Sequence, residues 1–97
     1  MNHFIIYALD KEGGAPIRAA NRDAHLAFLR AKSDVKVCVA GPLLDDDRMI
    51  GSLLIVQAAN EMAVHNWLKS DPYGQAGLSK SIAVHPYKWV IGAPETA

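Results

Sequence analysis

The hydrophobic pattern of this chain changes rhythm several times, and each change predicts an element. Asn2–Leu9 is rich in Phe, Ile, Tyr and Leu. Phe4, Ile6 and Ala8 share one side and Ile5, Tyr7 and Leu9 the other, which predicts a strand covered on both faces. Asp10–Ile17 carries Gly13-Gly14 and Pro16 and predicts a loop. From Arg18 to Lys32 the period lengthens to that of a helix: Arg22, Leu26, Leu29 and Ser33 form a stripe, and His25 and Phe28 flank it. Arg18, Arg30 and Lys32 suit the solvated side of that helix or its edge. Val35–Leu43 is β-branched and predicts a second strand that stops at Gly41-Pro42. Asp45-Asp46-Asp47-Arg48 reads as a polar hairpin loop, because three like charges in a row resist burial. Met49–Ala58 then returns as an antiparallel third strand. Asn60 is a good helix cap for Glu61–Lys69, which buries Ala63, Val64, Trp67 and Leu68. Ser70–Gly77 is a break, and Lys80–Ile91 predicts the last strand, with Pro86 marking an edge or a bulge. Residues 92–97 read as a flexible tail.

The order is β-α-β-β-α-β, that of the α+β ferredoxin-like fold. It places a four-stranded antiparallel sheet beneath two helices on one face. The other face is apolar on the first, third and fourth strands, which is unusual for a lone chain in water. A second copy packed sheet to sheet would cover it, so a homodimer with a barrel-like interior, or a larger assembly, is expected.

Composition narrows the function classes. The 97 residues predict a single domain spanning 1–97; 51% are hydrophobic and 21% charged, as in globular chains. The net charge is zero and no basic stripe is present, which argues against nucleic acid. The one cysteine, Cys38, sits in an apolar run and reads as a small core residue, not a disulfide or metal ligand. The chain has neither a membrane-length apolar run nor a signal-peptide pattern at its start, so a cytoplasmic protein without membrane partners is expected.

Two residues offer acid–base chemistry. His25 is flanked by Ala24, Leu26 and Phe28, and a buried imidazole can carry a proton near neutral pH. Asp71 precedes Pro72, which disfavours the α conformation before it and places the carboxylate at a break after the second helix. The topology lays the two helices side by side, so Asp71 comes within reach of His25 and can hold one ring nitrogen while the other meets a substrate. Each residue also has a plain structural role: Asp71 as the cap of a helix with proline at its first position, His25 as a satisfied core residue. Arg22 can pair with a substrate carboxylate or with Asp71, and Tyr73 can donate a phenolic proton or wall a cleft. The histidines show no metal-ligand spacing; His3 and His85 lie on end strands without carboxylates beside them, and His65 falls off the buried stripe.

Taken together, Arg22-x-Ala24-His25-Leu26-x-x-Leu29, Ala40-Gly41-Pro42-Leu43, Gly51-Ser52 and Asp71-Pro72-Tyr73-x-x-Ala76-Gly77-Leu78 resemble the YciI-like family, in order and across most of the chain. The resemblance implies a ferredoxin-like fold of the dimeric α+β barrel superfamily and a His/Asp active site, which falls on His25 and Asp71. It also carries Ser52, Tyr73 and a Gly41-Pro42 turn over as cleft-lining, substrate-contacting positions. Most of that family has no assigned reaction; a related type is similar to dehydrochlorinases acting on chlorinated hydroxyhydroquinones. The short hairpin Asp45-Asp46-Asp47-Arg48, which lacks glycine, departs from the family pattern.

Two functions follow as expectations. One is a small enzyme without metal or other cofactor, in which His25 moves a proton, Asp71 orients it, and Arg22 or Tyr73 holds an anionic or phenolic cyclic substrate for elimination, dehydrochlorination or isomerisation. The other is a non-catalytic dimeric module that binds a small ligand or a protein, with His25 and Asp71 as buried structural partners.

Overall fold

The computed structural model describes residues 2–93; residues 94–97 of the expected tail lie outside the described residues. The elements run β1 (Asn2–Asp10), α1 (Ala15–Arg30), β2 (Lys36–Asp45), β3 (Arg48–Ala58), α2 (Glu61–Leu68), α3 (Pro72–Gln75) and β4 (Ser79–Tyr87). The strands form one antiparallel sheet in the order β2-β3-β1-β4. This is the expected ferredoxin-like α+β arrangement, with β3 and β1 central and β2 and β4 at the edges.

Register explains which residues face the helices. Phe4 pairs with Val56, Ile6 with Leu54 and Ala8 with Ser52. Phe4, Ile6, Leu54, Val56 and Ala58 are buried with Val64 of α2, and Leu29, Trp67, Leu68 and Val84 pack against them. Phe28 of α1 stacks on Trp67 of α2 at 4.8 Å between ring centres. The opposite face carries Ile5, Tyr7, Leu9, Leu53, Ile55 and Val39, of which Tyr7 and Val39 are 43% and 41% exposed. No helix of the described residues is long and apolar enough to cross a membrane.

Several boundaries differ from the sequence expectation, each for a local reason. Helix α1 begins at Ala15, because Pro16 occupies its first turn, where a missing N–H goes unnoticed. Strand β2 does not stop at Gly41-Pro42 but runs through it to Asp45, with Gly41 opposite Leu53 and Pro42 opposite Ser52. Gly41-Pro42 is therefore part of a strand and not a turn; an edge strand tolerates proline because one row of its N–H groups has no partner. The hairpin turns at Asp46, whose φ of 52° Asp adopts more readily than most side chains. Cys38 is half-buried on the edge strand instead of in the core. Strand β4 ends at Tyr87, so Val90 and Ile91 lie beyond the sheet and are exposed. At Gly51 the chains of β3 and β1 approach so closely that a side-chain carbon would collide with the carbonyl oxygen of Ala8.

Candidate active site

Asp71 closes the gap between α2 and α3. Its backbone is extended, Pro72 starts the next turn, and its side chain accepts the backbone N–H of Tyr73 at 3.0 Å. The same oxygen, Oδ1, lies 2.8 Å from Nδ1 of His25. His25 and Asp71 are only 7% and 9% exposed. The Tyr73 ring lies nearly parallel to the imidazole, 3.8 Å from it with 13° between the planes. The carboxylate fixes the imidazole at one nitrogen, and the phenol ring fixes its tilt.

This arrangement selects a tautomer. A carboxylate only accepts hydrogen bonds, so the proton of the neutral ring resides on Nδ1 and Nε2 keeps its lone pair. No group among the described residues hydrogen-bonds Nε2. The ring borders a cavity of about 140 Å³ enclosed by α1, β2, β3 and α3. Leu26, Leu29, Ala40, Met49 and Leu54 supply apolar wall, and Arg18, Arg22, His25, Ser52 and Tyr73 supply polar groups. An apolar cleft with a few convergent polar groups is the usual form of a small-molecule site.

Behind Tyr73 lies a buried ion pair. Arg18 donates through Nε and Nη2 to the two carboxylate oxygens of Asp10 at 2.9 and 3.0 Å. Nη2 also reaches the carbonyl of Gly51 at 2.9 Å and Oγ of Ser52 at 3.0 Å. The Arg18 guanidinium carbon stands 5.0 Å from the centre of the Tyr73 ring. Burial works against the charged guanidinium, but the hydrogen bonds and charge of Asp10 outweigh it, and the Arg18 pKa is raised. Burial also pushes the Tyr73 phenol above its ordinary pKa, against the opposing pull of the Arg18 charge.

The sequence-predicted residues fall as follows. His25, Ser52, Tyr73, Gly41, Pro42 and Arg22 border the same cavity. Asp71 stands behind the imidazole, beside a smaller space of about 30 Å³ shared with His25, Ser52 and Tyr73. Arg22 has a side chain 61% exposed and its nearest carboxylate is Asp23, at 4.0 Å, so it stands at the cavity and does not pair with Asp71. Asp71 serves as helix cap and histidine partner at once. His65 is exposed and pairs with Glu61 at 3.2 Å. His3 and His85 are out of register, His3 lying opposite Tyr87 and His85 opposite Ile5. No cluster of three metal-ligating side chains occurs among the described residues.

Sequence reasoning missed Arg18 and Asp10. Arg18 was expected on the solvated side of the helix or at its edge, yet its side chain is only 9% exposed. A signal existed: Arg18 precedes His25 by seven residues, two turns along the same helix face, so the stripe that faces the sheet extends toward the N-terminus through Arg18, while the exposed Arg22 stands at its edge.

The fold and cavity define a ferredoxin-like α+β protein with a buried His–Asp pair at a small apolar cleft. Residues 2–88 match the YCII-related domain, and the chain belongs to that family. An uncharacterised protein of Haemophilus influenzae is 32% identical over 97 residues, covering 92% of this chain and 99% of that protein. Protein YciI of Escherichia coli is 33% identical over 96 residues, covering 91% and 98%. Among solved structures, the chain resembles the 5-chloro-2-hydroxyhydroquinone dehydrochlorinase TftG of Burkholderia phenoliruptrix, determined in complex with 2,5-dihydroxybenzoquinone. The identity is 36%, the TM-score 0.76, and the match covers 89% of this chain and 93% of that one.

Proposed function

We propose that this protein is a small acid–base enzyme that needs no metal or organic cofactor and acts on a phenolic or anionic cyclic substrate. The observation that carries the reading is the His25 imidazole: Asp71 holds Nδ1 at 2.8 Å, Nε2 has no hydrogen-bond partner among the described residues, and the ring borders the cleft. In the proposed step Nε2 takes a proton from an O–H or C–H of the substrate. The released electron pair either expels a leaving group such as chloride, with net loss of HCl, or is reprotonated elsewhere, giving an isomer. Asp71 stabilises the imidazolium formed, and Arg22 at the cavity favours a negatively charged substrate. The likeness to a dehydrochlorinase supports elimination as the first chemistry to test.

The same reading makes the protein a cytoplasmic homodimer. The apolar sheet face with exposed Tyr7, Val39 and Tyr87 supports sheet-to-sheet pairing of two copies. Halogenated hydroxyhydroquinones and small cyclic acids, assayed with wild type and His25→Gln, test the catalytic part. Turnover by the wild type should fall about a hundredfold or more in the variant, the usual weight of a general base. Equal turnover by two folded proteins removes His25 from the chemistry and leaves a binding module.

A further inference from the structure

The buried ion pair has unspent hydrogen-bonding capacity on the side of the cleft. Arg18 directs Nε and Nη2 at Asp10, Gly51 and Ser52; Nη1 makes no close hydrogen bond among the described residues, and the Tyr73 phenol is the polar neighbour that shares the guanidinium with the cleft. Ser52 Oγ accepts one of these bonds, so its own proton is left to donate, and no protein acceptor for it occurs among the described residues. Both side chains border the 140 Å³ cavity beside His25. Each group is rigidly seated. Ser52 stands on the central strand β3, opposite Ala8, and the guanidinium is anchored by two bonds to one carboxylate. Donors held in advance, in a site largely shielded from water, are the kind that stabilise charge developing on an oxygen.

We propose that Arg18 Nη1 and the Ser52 hydroxyl form an oxyanion subsite in the same cleft as the base. This inference rests on the acid–base reading and narrows its substrate class. The substrate carries an oxygen, conjugated with the bond that loses its proton, on which negative charge collects: a phenol, a quinoid carbonyl or another enolisable ketone. Asp10 balances the charge of Arg18, so the subsite acts through directed N–H and O–H groups and ranks oxygens by position more than it attracts anions in general. Ser52 touches the substrate oxygen, and Arg18 both touches it and fixes Ser52.

4-Nitrophenol is a suitable probe, because its phenolate has its own visible absorbance. Titrated on the wild-type protein, the bound phenol should ionise about one pH unit lower than free, a tenfold preference for the phenolate. Ser52→Ala should lose most of that shift. Arg18→Lys should lose it too, and Ser52→Ala decides the matter if Arg18→Lys does not fold. His25→Gln should keep it, since the subsite does not include the imidazole. No binding of the phenol, an unshifted ionisation on the wild type, a shift untouched by Ser52→Ala, or a shift lost in His25→Gln overturns the subsite. Failure of the acid–base reading shows differently: wild type and His25→Gln turn substrate over equally while the phenolate shift stays intact.

Discussion

His25 and Asp71, 46 positions apart in the chain, meet at 2.8 Å through one carboxylate oxygen, Oδ1, which also accepts the backbone N–H of Tyr73. One atom therefore starts α3 and aims the imidazole. The carboxylate's charge and its hydrogen bonds can be separated. Asp71→Asn keeps an oxygen able to accept both bonds, and Asn caps as well as Asp. Asp71→Ala loses the cap, worth about 1 kcal/mol, and strands a buried ring nitrogen at a further ~1–3 kcal/mol. Urea denaturation should show Asp71→Asn within about 1 kcal/mol of wild type and Asp71→Ala lower by about 2–4 kcal/mol. Similar losses in both would mean that the charge, not the hydrogen bonds, maintains the junction.

Arg18 and Asp10 make a second junction, between the start of α1 and the end of β1. Their side chains are 9% and 7% exposed. Arg18→Met leaves a carboxylate buried without its cation and should destabilise by about 3–5 kcal/mol. The double variant Arg18→Met/Asp10→Leu should recover most of that loss, because no charge is then stranded. Denaturation of both proteins checks this; a double variant as unstable as the single would contradict it.

Much of this architecture is legible in the sequence, and the failures have physical reasons. The two-residue and helical periods fix the strand and helix order, and that order brings Asp71 toward His25. Arg18 was misplaced because guanidinium groups usually seek water, and only a partner from another element, here Asp10, reverses that preference. Asp10 lies at a strand end, where sequence alone gives no hint of what it faces. Gly41-Pro42 looks like a turn by local chemistry, yet β2 is an edge strand, and edge position is a property of the whole sheet. Pro16 reads as a loop residue until the helix it opens is seen.

Tyr73 gives a pH dependence of known sign. Its phenol pKa is raised, with burial as the leading cause. Above the ordinary tyrosine pKa of about 10 the unfolded chain releases this proton while the folded chain retains it. The native state then binds more protons, so this contribution is full below about pH 10 and is lost as pH rises further. Tyr73→Phe lacks it. The stability of wild type relative to Tyr73→Phe should be constant between about pH 7 and 9 and decline toward pH 11. A difference that does not change with pH would contradict the raised pKa.

Val39 tests the proposed homodimer. It lies on the sheet face away from the helices and is 41% exposed in the single chain, so Val39→Lys is compatible with the monomer fold. Sedimentation equilibrium should find wild type as a dimer and Val39→Lys shifted toward monomer, because a sheet-to-sheet interface would bury the added charge. A wild-type monomer, or a variant that assembles as the wild type does, would contradict sheet-to-sheet pairing.

The claim on which the catalytic account depends is the tautomer of one ring. Nitrogen-15 NMR of His25 in the wild-type protein, above the pH at which the imidazole becomes neutral, reads it directly. The expected spectrum has the proton on Nδ1, bonded to Asp71, and an unprotonated Nε2 ready to accept. A proton on Nε2 with Nδ1 bare would mean that Asp71 does not hold the ring in the form that a base at this cleft requires.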